Sequence, residues 1–192
     1  MRMTHNSLAS DFKSTFLSCE KDQEVIWRKL FIDNKKCAEQ LKRLLVINEK
    51  DCLDKTQHQY DHILEETDMA KLREGGYIRV IPKLSFGEHE EVKSYIILEF
   101  DDFVPTNNPE FRDCTISFTI ISHLDYWDLE DYKLRPHQIA GYIDGMLDNT
   151  KLSGIGTLQF AGASQVVLNE YLGGIILRYI ATHGGEDKGE IE

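Results

Sequence analysis

Two histidines spaced four residues apart are the first candidates for metal chemistry in this chain. On a helix, His58 and His62 would lie on one face, where two imidazoles can converge on one ion. The residues between them are Gln59, Tyr60 and Asp61, so the glutamate that activates a water molecule in an HExxH site is missing. The pattern is more typical of a solvated, charged helix, and we predict no metal site here.

A second cluster is acidic and consists of Asp125, Asp128, Glu130 and Asp131. Its spacing lacks the alternate oxygen ligands and the central glycine with which a calcium loop wraps its ion. Tyr126 and Trp127 lie inside the cluster, and large aromatic side chains often anchor protein interfaces. We therefore predict a contact surface or a solvated loop without a bound ion.

One triplet matches a nuclease motif. Glu91-Val92-Lys93 has the ExK sequence of metal-dependent nucleases of the PD-(D/E)xK class, in which carboxylates hold Mg²⁺ and orient water. Acidic residues follow it at Glu99, Asp101 and Asp102. The triplet lies at the start of the second predicted strand, however, and the third predicted strand contains no acid–x–lysine. A nuclease therefore remains an alternative hypothesis.

The glycines of the C-terminal half do not form a nucleotide-binding pattern. Gly154 and Gly156 precede the strand predicted at residue 157 and Gly162 follows it, whereas the glycines of a dinucleotide-binding loop lie between a strand and a helix. The chain has neither a GxxxxGK[ST] loop nor a GxSxG nucleophile elbow. We predict no catalytic residue, no cofactor and no enzymatic activity.

The composition restricts the function further. The net charge of −11 opposes binding to nucleic acids, because Lys and Arg side chains supply most of the affinity for phosphate backbones. No apolar run reaches the roughly 18 residues of a membrane span, and the first ten residues lack the apolar core of a secretory signal. Four widely spaced cysteines without a CxxC pair favour free thiols in a reducing cytosol.

The spacing of apolar residues predicts helices in the first part of the chain and strands in the second. Helices are predicted over residues 21–32 and 36–47, and residues 51–72 are predicted to be helical in pieces. After Gly75-Gly76, strands are predicted over 77–81, 94–103, 115–123, 157–160 and 175–182, with a helix from Pro136 to about Asp148. This order predicts an α+β fold, in which N-terminal helices precede a β-β-β-α-β-β domain with a mostly antiparallel sheet.

Three stretches of the C-terminal half resemble bacteriophage tail-terminator and neck proteins. They are YKLRP at residues 132–136 with the helix that follows, GIGTLQF at 154–160, and YLGGIILRY at 171–179. With the order of the elements, the resemblance covers about Ser117 to Thr182. It implies a helix–β–β–β–helix–β–β domain whose copies join into a ring at the junction of phage head and tail, as a tail terminator or a head–tail connector.

The resemblance also implies partners and a location. The partners would be further copies of this chain and the adjacent portal, connector or tail proteins, with no membrane involved. DNA would pass through the ring channel without specific binding, because an acidic wall repels it. The protein would be part of the virion after assembly in the host cytoplasm. We expect a helical arm over residues 1–74, the ring-forming domain over 75–183, and an acidic disordered tail over 184–192.

A ring requires two different surfaces that meet on neighbouring copies. The candidate interface residues are the aromatic ones of the arm and loops, Phe12, Phe16, Phe103, Phe111, Tyr126 and Trp127. Packing of these side chains onto their own domain is the equally open alternative. A cytosolic adaptor or binding module remains a further alternative to the ring protein.

Overall fold

The computed structural model of the chain describes residues 15–56, 58–80, 93–107, 111–152 and 154–184. Two long helices come first. Helix α1 (Thr15–Arg28) continues into a π-helical turn (Lys29–Asp33), and helix α2 spans Lys35–Val46. Asn34 separates them, because its side chain accepts a hydrogen bond from the backbone N–H of Cys37 at 3.2 Å and so caps α2.

Short helices follow in the charged segment. They are a 3₁₀ turn at His58–Tyr60, α3 (Asp61–Glu66) and α4 (Met69–Glu74). Asp68 caps α4 by accepting a hydrogen bond from the N–H of Lys71 at 2.9 Å. The prediction of helical pieces in this region is confirmed.

A five-stranded sheet forms the second half of the molecule. Its strands are β1 (Ile78–Arg79), β2 (Ser94–Pro105), β3 (Phe111–His123), β6 (Gln159–Val167) and β7 (Leu172–Gly184), in the spatial order β1-β2-β3-β7-β6. Among the pairings of these described strands, only β1–β2 is parallel. Helix α5 (Arg135–Leu147) and a small hairpin of β4 (Lys151–Leu152) and β5 (Gly156–Thr157) lie between β3 and β6. The predicted α+β fold with a mostly antiparallel sheet is therefore confirmed.

Strand β3 lies in the middle of the sheet, and both of its faces are partly apolar. Ile116, Phe118 and Ile120 point toward the helices and are fully buried, whereas the alternate positions point to the opposite face. On that opposite face, one end of β3 is apolar, where Ile121 packs with Ile97. The other described side chains of β3 on this side are polar, and we call this side the open face of the sheet. It also includes Ile176 and Ile180 of β7.

The helices and the sheet share one hydrophobic core. Trp27 of α1 lies edge-on to Phe118 of β3 with ring centroids 6.4 Å apart, and Leu41 of α2 and Ile143 of α5 are fully buried in the same cluster. The predicted boundary between residues 74 and 75 thus separates two parts that pack on each other. None of the helices in the described part of the chain is long and apolar enough to cross a membrane.

Some predicted bounds were wrong. The first helix starts before residue 21, at Thr15, and ends in a π turn. The strand predicted over 157–160 is divided in the structure: Thr157 belongs to β5, and Gln159 and Phe160 start the nine-residue β6. Strand β2 ends at Pro105 and strand β3 begins at Phe111, so both strands are longer than predicted. Residues 185–192, most of the predicted acidic tail, lie outside the described residues, and Gly184 still belongs to β7.

Candidate functional site, an exposed sheet edge

Strand β6 forms one edge of the sheet and is exposed on both faces. It pairs with β7 on one side, and no described strand pairs with it on the other. None of its nine residues is buried. Such an edge presents backbone N–H and C=O groups that can pair with another strand, and proteins usually protect it with charges or proline.

The sequence of β6 contains no such protection. It reads QFAGASQVV, without a charged residue or a proline. The uncharged run extends from Leu152 to Asn169 and is the longest in a chain of which 29% is charged. A bulge between Phe160 and Gly162 is the one irregularity in its pairing with β7. From Gly162 onward, the edge therefore has neither a charge nor a proline that would block another strand.

Large apolar side chains are exposed at this edge and beside it. Phe160 and Val167 of β6 are 47% and 66% exposed, and Ile180 of β7 is 49% exposed. Phe160 lies edge-on to the buried ring of Tyr179, with centroids 5.8 Å apart. Tyr179 is itself fixed, because its hydroxyl donates to Asp144 at 2.8 Å. Phe160 thus sits at the rim of the core with about half of its surface available to a partner.

One cation lies on the open face next to the edge. Arg178 of β7 pairs with Ser117 of β3 on one side and with Gly162 of β6 on the other. Its Nη1 donates a hydrogen bond to the hydroxyl of Ser164 at 2.9 Å. Among the described residues it forms no ion pair with a carboxylate. The guanidinium is thus a positive group beside an uncharged edge.

The edge of the sheet opposite β6, formed by the outer part of β2, is acidic. Strand β1 covers β2 only at Ile96 and Ile97, so no described strand pairs with the outer edge of β2 from Leu98 onward. That part of β2 carries Glu99, Asp101 and Asp102. Glu99 lies on the open face and accepts a long hydrogen bond from the Thr119 hydroxyl at 3.4 Å. The two edges of the sheet thus differ in charge.

The loop after β3 packs on its own domain. The indole N–H of Trp127 donates to the carbonyl of Ser122 at 3.1 Å. The Tyr126 ring lies edge-on to His123, which stacks on Tyr171 with centroids 6.0 Å apart. Both aromatic residues are half-buried, so part of each ring is also available at the surface.

A buried arginine fixes this loop to the helices. Arg135, the first residue of α5, is fully buried, and it donates to five backbone carbonyls, those of Tyr126, Leu44, Ile47, Asn48 and Glu49, at 2.6–3.0 Å. Four of these carbonyls lie at or just after the C-terminal end of α2, where the helix dipole is negative. Burial lowers the pKa of its guanidinium. Arg135 belongs to the stretch that resembles the phage proteins, and its role here is structural.

The other predicted interface residues are placed as follows. Phe12 lies outside the described residues. Phe16 belongs to α1 and Phe111 starts β3, paired with Gly184, but their side chains are not among those described. Phe103 is half-buried against the core near the outer end of β2. Their part in an interface stays a prediction.

The residues considered for metal chemistry do not converge in the described part of the chain. His58 lies in a 3₁₀ turn with its Nδ1 2.9 Å from a carboxylate oxygen of Asp61, and His62 lies in α3. No group of three or more His, Cys, Asp or Glu side chains is placed to hold a metal ion within the described ranges. Glu91 lies outside them, and Lys93 donates to the carbonyl of Gly75 at 2.9 Å.

The sequence pattern does not predict the β6 edge. Gly162, Ser164 and Gln165 interrupt the apolar alternation that marks a strand, so the pattern predicts a strand that stops at Phe160. The signal that could have found the edge is the uncharged run from Leu152 to Asn169.

Similarity to known proteins places the chain in a family. A solved chain described as "Virion of native gene transfer agent (GTA) particle" is 15% identical, with a TM-score of 0.42, and covers 65% of this chain and 91% of its own length. At this level the similarity supports no functional conclusion. No curated protein matches the sequence. A model of the YomW family matches residues 38–180, which is most of the chain, from the second helix through β7, so the protein belongs to the YomW family.

Proposed function

We propose that this protein is a structural subunit of a phage virion, which assembles into a ring at the head–tail junction as a tail terminator or neck connector. We propose a mechanical role for it, without enzymatic activity. The ring leaves a channel through which DNA passes without specific contacts.

One observation carries the proposal: the sheet has a long, uncharged, exposed edge with apolar side chains at its rim. Phe160, near the start of β6, is 47% exposed, and Val167, at its end, is 66% exposed. An edge of this kind favours addition of a strand from another chain. The resemblance of residues 117–182 to ring-forming phage proteins supports the same assignment.

The charge of the chain fits a channel for DNA. With a net charge of −11, an oligomer carries a strongly negative field that opposes adhesion of a passing duplex. The exposed acidic residues of the loop after β3, Asp125, Asp128 and Asp131, add to this field. We expect no measurable binding of the purified protein to duplex DNA at physiological salt.

The location is tested by imaging purified phage particles that contain the protein. The proposal expects ring-shaped density at the head–tail junction into which the described fold fits, and the chain must be detected in those particles by mass spectrometry. Absence from purified particles, or density only within the capsid shell, would contradict the proposed role. A Mg²⁺-dependent DNA-cleavage assay addresses the nuclease alternative, and cleavage that Asp102→Ala abolishes would favour it.

A further inference from the structure

We infer that the ring subunits join edge to edge, with β6 of one copy added to the outer edge of β2 of the next, and with Arg178 of the first copy paired to Glu99 of the second. This inference rests on the proposed function and specifies its contact. The partner surface is therefore a second copy of this chain.

Strand directions permit this pairing in a ring. Because β2–β3, β3–β7 and β7–β6 are each antiparallel, β6 runs opposite to β2. Two copies with the same orientation therefore bring β6 and the neighbour's β2 together as an antiparallel pair. Copies of equal orientation are what a cyclic, heterologous assembly requires.

The sheet register brings the two charges to the same level. Glu99 pairs with Ser117, Ser117 with Arg178, and Arg178 with Gly162, so all four residues form one row on the open face. If the sheet continues into the next copy without stagger, that copy's Glu99 follows Gly162 in the same row. The amide of Phe160 is already bonded to the Asp148 carboxylate at 3.0 Å, so the new strand pairing begins after it.

Gly162 leaves the path between the charges open. A Cβ added at this position would have no neighbour within 4 Å, so no side chain stands between Arg178 and the edge. Two strand spacings amount to roughly 10 Å, a span that extended arginine and glutamate side chains can bridge together. The Arg178 guanidinium would give up its hydrogen bond to the Ser164 hydroxyl and would bind the Glu99 carboxylate of the neighbouring copy.

The charges favour this partner over a second β6 edge. Pairing β6 with β6 of another copy would place two Arg178 side chains near one seam, and like charges oppose association. The outer part of β2 instead carries Glu99, Asp101 and Asp102. The uncharged edge with one cation beside it thus complements the acidic edge.

The test is a charge exchange in the full chain, with assembly measured by analytical ultracentrifugation. We expect Arg178→Glu and Glu99→Arg to weaken assembly at least about tenfold each, because each places like charges in one row. The double variant, which restores a pair of opposite charges, should assemble at nearly the same protein concentration as the wild type. Arg112→Glu, which changes the same charge at an exposed position outside the row, is the control and should have little effect.

The outcomes separate the inference from the proposed function. If the wild type assembles and Arg178→Glu assembles equally well, or if the double variant fails to recover, the edge pairing is overturned while self-assembly stands. If the wild type stays monomeric at all protein and salt concentrations, both are contradicted. Circular dichroism of each variant verifies that the fold is retained.

Discussion

Arg135 shows how one residue can connect the two halves of the molecule. All five of its N–H groups are used on backbone carbonyls, four of them around the end of α2 and one in the loop after β3. No carboxylate is among these partners, so the charge is balanced by carbonyl dipoles and by the helix end. A proline follows at position 136, where its missing N–H costs nothing.

Replacing Arg135 by methionine should be strongly destabilising. The change keeps a long side chain but leaves the five carbonyls without their donor. Each buried carbonyl that loses its donor costs about 1–3 kcal/mol, so we expect a total loss of several kcal/mol. Urea denaturation monitored by circular dichroism measures the free energy of unfolding. Arg112→Met, at an exposed position, should change it by no more than about 0.5 kcal/mol. Equal effects of the two substitutions would contradict the role assigned to Arg135.

The buried thiol of Cys114 makes stability depend on alkaline pH. Burial, with the nearby Cys19, Asp22 and Asp113 adding to it, raises the pKa of this thiol from 9.0 to about 12. The neutral form is favoured in the folded state, so its contribution is fully present below pH 9 and is lost as pH rises to about 12. We expect the unfolding free energy of Cys114→Ala to fall less steeply with pH across this window than that of the wild type. Parallel curves would refute the assignment.

At the scale of elements, the contact between β3 and β7 is unusually close at one glycine. A Cβ added at Gly174 would collide with the carbonyl oxygen of Ile120 and lie 2.8 Å from its carbon. Gly174 is paired with Ile121 near one end of the two interior strands β3 and β7. The backbone on both sides is held by the strand pairing, so it cannot move to make room.

Two glycine-to-alanine substitutions should therefore have opposite effects. Gly174→Ala should reduce the free energy of unfolding by about 1–3 kcal/mol through overpacking. Gly141→Ala, in the exposed face of α5 where an added Cβ has no neighbour within 4 Å, should raise it by up to about 1 kcal/mol through helix propensity. Thermal unfolding of both variants compares them directly, and a stabilised Gly174→Ala protein would show that the described strand contact is wrong.

The sequence predicted the elements whose periodicity was strong and missed those set by context. The sequence predicts helix α2 and strand β3 because their apolar residues repeat with the helical and the strand period, respectively. The extension of β6 beyond Phe160 was missed because an edge strand without a buried face has no apolar alternation to detect. The hydrogen bonds of Arg135 depend on residues about 90 positions earlier in the chain, which no local pattern reveals.

At the scale of the whole molecule, the two sides of the sheet differ. The β6 edge is uncharged and has Arg178 beside it. The opposite edge, the part of β2 after Ile97 that does not pair with β1, is acidic. In the proposed ring of equally oriented copies, each of these edges would lie against the other edge of a neighbour. The aromatic residues predicted as the interface remain candidates for further contacts.

Self-assembly through the sheet edges is tested most directly by the molar mass of the purified chain, measured by multi-angle light scattering over a range of protein and salt concentrations. We expect a defined oligomer whose mass is a multiple of 22.2 kDa, and a shift toward the monomer for Arg178→Glu. A wild-type mass of 22.2 kDa under every condition would contradict it.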